Sequence, residues 1–374
     1  MKKKAFRFID LFAGIGGFHT AMHHVGGKCV FASEWDKYAR ISYIANYKDV
    51  EPDLFVQDEN GSFPFFNEDI TLADPESIPP FDVCCGGFPC QPFSIAGLRR
   101  GFDDTRGTLF FNIANIVKQK IESGNPPLVL FLENVKGLKN HMKGETLKTI
   151  LATLEELGYS YNYEVLNAKY FGVPQNRERL FIIAWYNKLI KVESFKFPFG
   201  IAKDGSTIYE KSKNLSDLVL ETHLSDIFEP EASIDPYYTI SDKMWIGHQE
   251  RKKRNKANGK GFGYSLFSGD SKYCSTISAR YWKDGSEILI DQSTKSLNPR
   301  RLTPTEAGRL QGYRILGNGW QNAECASNPN YNETNLEFRI IVSRKEAYHQ
   351  FGNSVAIPVI KRLAEEIVKQ LLNK

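Results

Sequence analysis

The chain has 374 residues, 25% of them charged and 41% hydrophobic, with a formal net charge of +4. That length builds one large domain or two smaller ones around a sizeable core. The composition is that of an ordinary globular protein without a run near the roughly eighteen apolar residues of a membrane span, and the mild positive bias permits a nucleic-acid partner without demanding one.

The opening Met1-Lys2-Lys3-Lys4 is basic, yet Asp10 interrupts the apolar run behind it, which argues against a signal peptide. Hydrophobic patterning predicts a strand over 6–12. It runs into Asp10-Leu11-Phe12-Ala13-Gly14-Ile15-Gly16-Gly17. Glycines there let backbone approach a ligand, and the helix expected over 18–25 offers free N–H groups. The loop is not GxGxxG, which weakens a dinucleotide reading, and alone it also fits a tight turn. A second strand over 29–33 ends at Glu34-Trp35. A carboxylate there suits ribose hydroxyls and an indole suits stacking on adenine; a surface acid beside a core aromatic is the plainer alternative. A helix over 37–47 follows. Asp69-Ile70 suits an adenine amino group, although Asp69 alone suits a helix cap better.

A strand over 83–85 leads into Gly86-Gly87-Phe88-Pro89-Cys90-Gln91-Pro92-Phe93-Ser94. A thiol on a Gly/Pro-shaped loop at the carboxyl end of a strand is where an open α/β sheet holds a nucleophile. A free cysteine is more commonly a small buried hydrophobe, but Pro89 and Pro92 stiffen a loop too polar for a core. A helix over 108–121 and a continuous apolar strand over 128–132 come next, closed by Glu133-Asn134-Val135. A carboxyl just past a buried strand suits general acid catalysis, and equally a cap or an ion pair. After a helix over 146–157, Gln175-Asn176-Arg177-Glu178-Arg179 precedes a strand over 180–184, and period-two spacing sends both arginines to one side. Strands alternating with helices imply an α/β fold, a doubly wound and mainly parallel sheet.

Six cysteines without framework spacing fit a reducing cytoplasm, and none has zinc-site spacing, so no metal is expected. From about residue 190 the periodicity weakens, which predicts a second, smaller and irregular domain. Within it, HQERKKRNKANGK at 248–260 is either a solvated helix face or a phosphate-contacting segment, and the glycine- and aromatic-bearing GKGFGY overlaps its end. Near the end, Tyr348 to Val355 forms a polar loop in which Asn353 or Ser354 suits a cap, before a helix over 357–372 expected to pack on the first domain.

Taken together and in order, FIDLFAGIGG, EWD, GGFPCQPFS, GFDDTRGTLFF, FLENVKGL, QNRERLFIIA, RRLTPTEAGRLQGY and QFGNSVAIP resemble the DNA (cytosine-5)-methyltransferases, especially the small bacterial enzymes of restriction–modification systems. The resemblance spans nearly the whole chain. It implies an S-adenosylmethionine-dependent fold, with a catalytic and cofactor-binding domain over 1–190 completed by 344–374. Residues 191–343 would form the target recognition domain and hinge. It implies Cys90 as the nucleophile on cytosine C6, Glu133 as the group stabilising a proton at N3, and Arg177 and Arg179 as active-site arginines, at least one holding a flipped base. Phe12, Gly14, Gly16, Gly17, Glu34, Trp35, Asp69, Ile70, Asn353 and Ser354 fall on cofactor positions, with Leu109 a further contact. The implied partner is double-stranded DNA, met by a monomer in the bacterial cytoplasm or nucleoid. GKGFGY and STISARYWKDGSEILID are similar to enzymes acting on CCWGG, CCNGG or CCGG sites.

Overall fold

The structure is a computed structural model that describes residues 6–89, 109–190, 195–315 and 336–372. Five strands run parallel: β1 (Phe6–Leu11), β2 (Gly27–Ser33), β3 (Phe66–Asn67), β4 (Val83–Gly87) and β5 (Val129–Val135). Two more, β6 (Tyr159–Asn167) and β7 (Glu178–Tyr186), complete the sheet in the order β3-β2-β1-β4-β5-β7-β6, with β7 antiparallel to both its neighbours, β5 and β6. The expected doubly wound, mainly parallel sheet is therefore present. From β1 the chain winds outward to β2 and β3. It then returns to lay β4 on the other side of β1 and continues to β5. That reversal puts a crevice at the carboxyl ends of β1 and β4, where open α/β sheets bind ligands.

The helices are α1 (Gly17–His24), α2 (Lys37–Tyr47), α3 (Leu109–Glu122), α4 (Glu145–Glu156), α5 (Leu215–Leu218), α6 (Asp242–Ala257), α7 (Pro304–Leu310), α8 (Arg344–Asn353) and α9 (Ile357–Leu372). The central strands are apolar on both faces because both are covered: Val129, Leu130, Phe131 and Leu132 of β5 are all buried. In α3, Phe110, Ile113, Ala114 and Val117 recur at helical spacing and are buried, which is what a helix laid on such a sheet requires. The strand β6 is not evident in the sequence. Most of its residues keep some exposure, so YSYNYEVLN has no apolar run to mark it.

The chain divides into two compact units. The first comprises Met1–Asn167, Glu178–Pro198 and Val359–Lys374 and holds the sheet, while the second comprises Ala168–Arg177 and Phe199–Pro358. The second has little regular structure beyond its helices: a hairpin of β8 (Gly200–Ile201) and β9 (Thr207–Ile208), and a small sheet of β10 (Leu266–Phe267), β11 (Leu289–Ile290) and β12 (Arg300–Arg301). The segment RRLTPTEAGRLQGY explains itself here. Thr303 caps α7, Pro304 starts it, and Glu306 closes a capping box while taking two bonds from Arg300, at 2.7 and 3.0 Å, in a buried pair.

Candidate active site

In the first unit the loop after β1 is tightly constrained. Phe12, Gly14 and Gly16 all have positive φ, at 57°, 56° and 82°. Gly16 starts α1 in the left-handed region, and a Cβ there would lie 2.3 Å from the Tyr47 ring, so only glycine fits. Tyr47 in turn sets its hydroxyl 2.7 Å from the Gly16 carbonyl. The helix α1 begins without a capping side chain or an acidic residue in its first turn, so its positive end suits an anionic group.

Glu34, at the end of β2, locks this loop to its own strand end. One carboxylate oxygen accepts from the Gly14 N–H and the other from the Asp36 N–H, both at 2.7 Å. Burial pushes its carboxyl up, and the two N–H bonds only partly oppose that. Beside it the Trp35 indole is 75% exposed, its carbonyl held by Arg40. Asp69 behaves as a cap, accepting from Thr71 N–H at 2.9 Å and from the Thr71 hydroxyl at 2.7 Å, while Ile70 is buried. Leu109 is the first residue of α3 and packs on the core.

Two strands from β1, Glu133 is 8% exposed near the end of β5, in register with Gly87 of β4. Its Oε1 lies 3.0 Å from Arg179 Nε on β7. Asn134 donates to the Phe88 carbonyl at 2.8 Å and so ties β5 to the segment that leads toward Cys90. Cys90 itself, with the stretch 90–108, lies outside the described residues. The neighbouring thiols are poor candidates for its role: Cys84 and Cys85 are buried, and burial pushes both up.

The two arginines are separated in their contacts. Arg177 precedes β7, so strand alternation does not apply to it; its guanidinium is buried in the second unit, donating to the carbonyls of Ile277, Gly352 and Ser354 at 3.2, 3.1 and 2.6 Å. Arg179 is the arginine placed 3.0 Å from Glu133. Ser354 caps the end of α8 and sets its hydroxyl 2.7 Å from that of Tyr313, while Asn353 lies 3.3 Å from His349.

The sequence profile of the C-5 cytosine-specific DNA methylases matches residues 6–369. The chain belongs to that family. Among its relatives, type II methyltransferase M.SsoII of Shigella sonnei is 46% identical over 98% of this chain and 81% of its own length. Type II methyltransferase M.NlaX of Neisseria lactamica is likewise 46% identical, over 97% of this chain and 96% of its own. Among solved structures, the Dnmt2 methyltransferase of S. pombe superposes with a TM-score of 0.68 at 19% identity, covering 99% of this chain and all of that one, a likeness of fold alone. The family uses S-adenosylmethionine, and the donor set after β1 and β2 fits it: an uncapped helix start for a carboxylate, a strand-end acid for ribose hydroxyls, and an exposed indole for a purine. Among the described residues no cluster of His, Cys, Asp or Glu is placed to hold a metal ion, and no helix is long and apolar enough to cross a membrane.

Sequence reasoning missed Asp10, the last polar residue of β1. It is fully buried, near His19 of α1 and Tyr43 of α2, whose side chains are 2.6 Å apart. Burial holds its carboxyl well above the usual range; the His19 N–H opposes this, the charge of Glu34 adds to it, and the Tyr43 hydroxyl opposes it least. The one available signal was an acidic residue next to the end of a strand whose other residues, Arg7 apart, are apolar.

Proposed function

We propose that this C5 methyltransferase modifies a cytosine within a specific duplex sequence through Cys90, Glu133 and Arg179, and so protects host DNA from a cognate endonuclease. The observation that carries the reading is the Glu133–Arg179 pair at the strand ends next to β4, the strand that leads to Cys90.

Cytosine C5 is too poor a nucleophile to take a methyl group unaided. A Cys90 thiolate adds to C6, forming the C–S bond and moving the C5–C6 π electrons onto C5. Glu133 favours this addition by stabilising a proton at N3, and Arg179 fixes the direction in which the carboxyl faces. S-adenosylmethionine, when bound, supplies the electrophilic methyl group for C5. The C5 proton then leaves to water as the C6–S bond breaks and Cys90 is regenerated. Neither carbon is reachable inside the stack, so the base is flipped out.

Phe12, Gly14, Gly16, Gly17, Glu34 and Trp35 are assigned to hold the cofactor, with Asp69, Ile70, Leu109, Asn353 and Ser354 as further contacts from the family motifs; no metal takes part. Arg177 is assigned to keep the 352–354 turn in place, because carbonyls occupy its guanidinium. Residues 191–343 read the target, and their likeness to CCWGG, CCNGG and CCGG enzymes makes such a site the first to test. The protein acts as a monomer.

Expression in a methylation-free host, followed by bisulfite sequencing, tests the whole reading. One recurring methylated sequence is expected. Absence of 5-methylcytosine, together with no transfer from labelled cofactor to mixed-sequence duplex, would end it.

A further inference from the structure

The basic run at 248–260 is not a uniform cationic face. It is the second half of α6, and Arg251 within it is turned toward protein. Its Nε and Nη2 donate to the Gly263 carbonyl at 3.2 and 2.8 Å, Nη1 donates to Asp284 at 2.9 Å, and Nη2 lies 3.1 Å from His248 Nδ1. Every guanidinium nitrogen thus has a protein acceptor. Lys252 lies over the Tyr264 ring, which also meets Trp245 edge-on.

These contacts bend the chain after α6 back onto the helix. Asn255 donates to the Phe262 carbonyl, and the Lys260 N–H donates to the Asn255 carbonyl at 2.7 Å. Gly263 seats directly on α6, where a Cβ would lie 2.5 Å from Lys252 Cβ, so no other residue fits. The backbone on both sides of Phe262 is therefore fixed, yet Phe262 is 55% exposed, and Lys260 in the same loop and Arg254 and Lys256, the chain neighbours of Asn255, are exposed as well. A large aromatic ring held out into water on a pinned loop, among cations, has the form of a side chain meant for a base edge or a base step.

We propose that Phe262 is a base-contacting, specificity-determining residue and that Arg251, through Gly263 and Asp284, is the positioning residue that presents it. The proposal rests on the duplex-DNA reading above. Pinning the loop before binding removes ordering entropy that DNA would otherwise have to offset, so unpinning weakens recognition without touching the chemistry.

The test uses the full-length enzyme and the duplex site mapped by bisulfite sequencing. Methyl transfer is measured for wild type, Arg251→Ala, Phe262→Ala and the double variant, on that site and on duplexes with one base pair changed. Each single variant is expected to raise KM for DNA on the order of tenfold and to narrow the discrimination between sites, with kcat at saturating DNA and the KM for cofactor unchanged. The double variant is expected to be no worse than the worse single one, because the ring has nothing left to contribute once the loop is loose. Phe262 is exposed, so its variant folds even where Arg251→Ala does not. Unchanged KM and discrimination in Phe262→Ala, or multiplying effects in the double variant, would overturn the proposal. Failure of the wild type on every duplex would instead remove the reading beneath it.

Discussion

Glu133 and Arg179 form a diagonal pair across antiparallel strands. Arg179 stands opposite Val135 and Phe181 opposite Glu133, so the carboxylate and the guanidinium share one face and close to 3.0 Å. Glu133→Gln keeps the shape and removes the acid; single-turnover methyl transfer is expected to fall by roughly 10²- to 10⁴-fold. Arg179→Ala leaves a buried carboxylate without this partner and should lower the same rate. The double variant should be no slower than the slower single one, since the two act as a unit. Multiplying losses would show that they act separately.

Glu34 should make cofactor affinity sensitive to acid. Its ionised form accepts the Gly14 and Asp36 N–H groups, and burial raises its carboxyl, so protonation begins at a higher pH than for a free glutamate. Calorimetric affinity for S-adenosylhomocysteine is expected to weaken as pH falls through that raised range. Glu34→Gln should bind more weakly at neutral pH and lose this dependence. A flat profile in the wild type would count against the role given to Glu34.

Asp10 predicts the opposite sign, in stability. With a folded value above its unfolded one, its contribution is fully present below the unfolded value and is lost as pH rises through the folded one. Asp10→Asn is a neutral isostere without that loss. Its Tm is expected to fall less steeply than that of the wild type as pH rises above the ordinary carboxylate range. Parallel curves would show that the carboxyl does not hold its proton.

The exposed cations of α6 should act through salt. Lys253, Arg254 and Lys256 are exposed, unlike half-buried Arg251. Replacing one of the three by Ala should lower the slope of log K against log salt by about one if it neutralises a phosphate, with little change in discrimination between sites. Fluorescence anisotropy between 50 and 200 mM salt measures this, and an unchanged slope would exclude that side chain.

The strands β1, β2, β4 and β5 and the helix α2 were legible because both faces of the sheet are covered and the helix carries its own periodicity, ending in Tyr43 and Tyr47 four residues apart, whereas the two residues of β3 are too few to carry a pattern. The carboxyl-end motifs could be read for the same reason, since a strand end fixes where Glu34 and Glu133 stand. What could not be read depends on partners distant in sequence. Arg177 and Arg179 look equivalent until β7 begins between them and Gly352 and Ser354 claim the first. Arg251 looks like its basic neighbours until Asp284, 33 positions away, turns it inward. The loop after β1 shows its glycines, but the reason for Gly16 is Tyr47, which no local pattern connects to it.

The central claim is that Cys90 attacks C6. A duplex carrying 5-fluorocytosine at the mapped site blocks loss of the C5 substituent and should hold the enzyme at the covalent stage. With S-adenosylmethionine present, wild type is expected to form a stoichiometric adduct that survives denaturation, mapped by mass spectrometry to Cys90, and Cys90→Ser is expected to form none. Methyl transfer to ordinary duplex by an enzyme that leaves no such adduct, or an adduct on another residue, would contradict the mechanism.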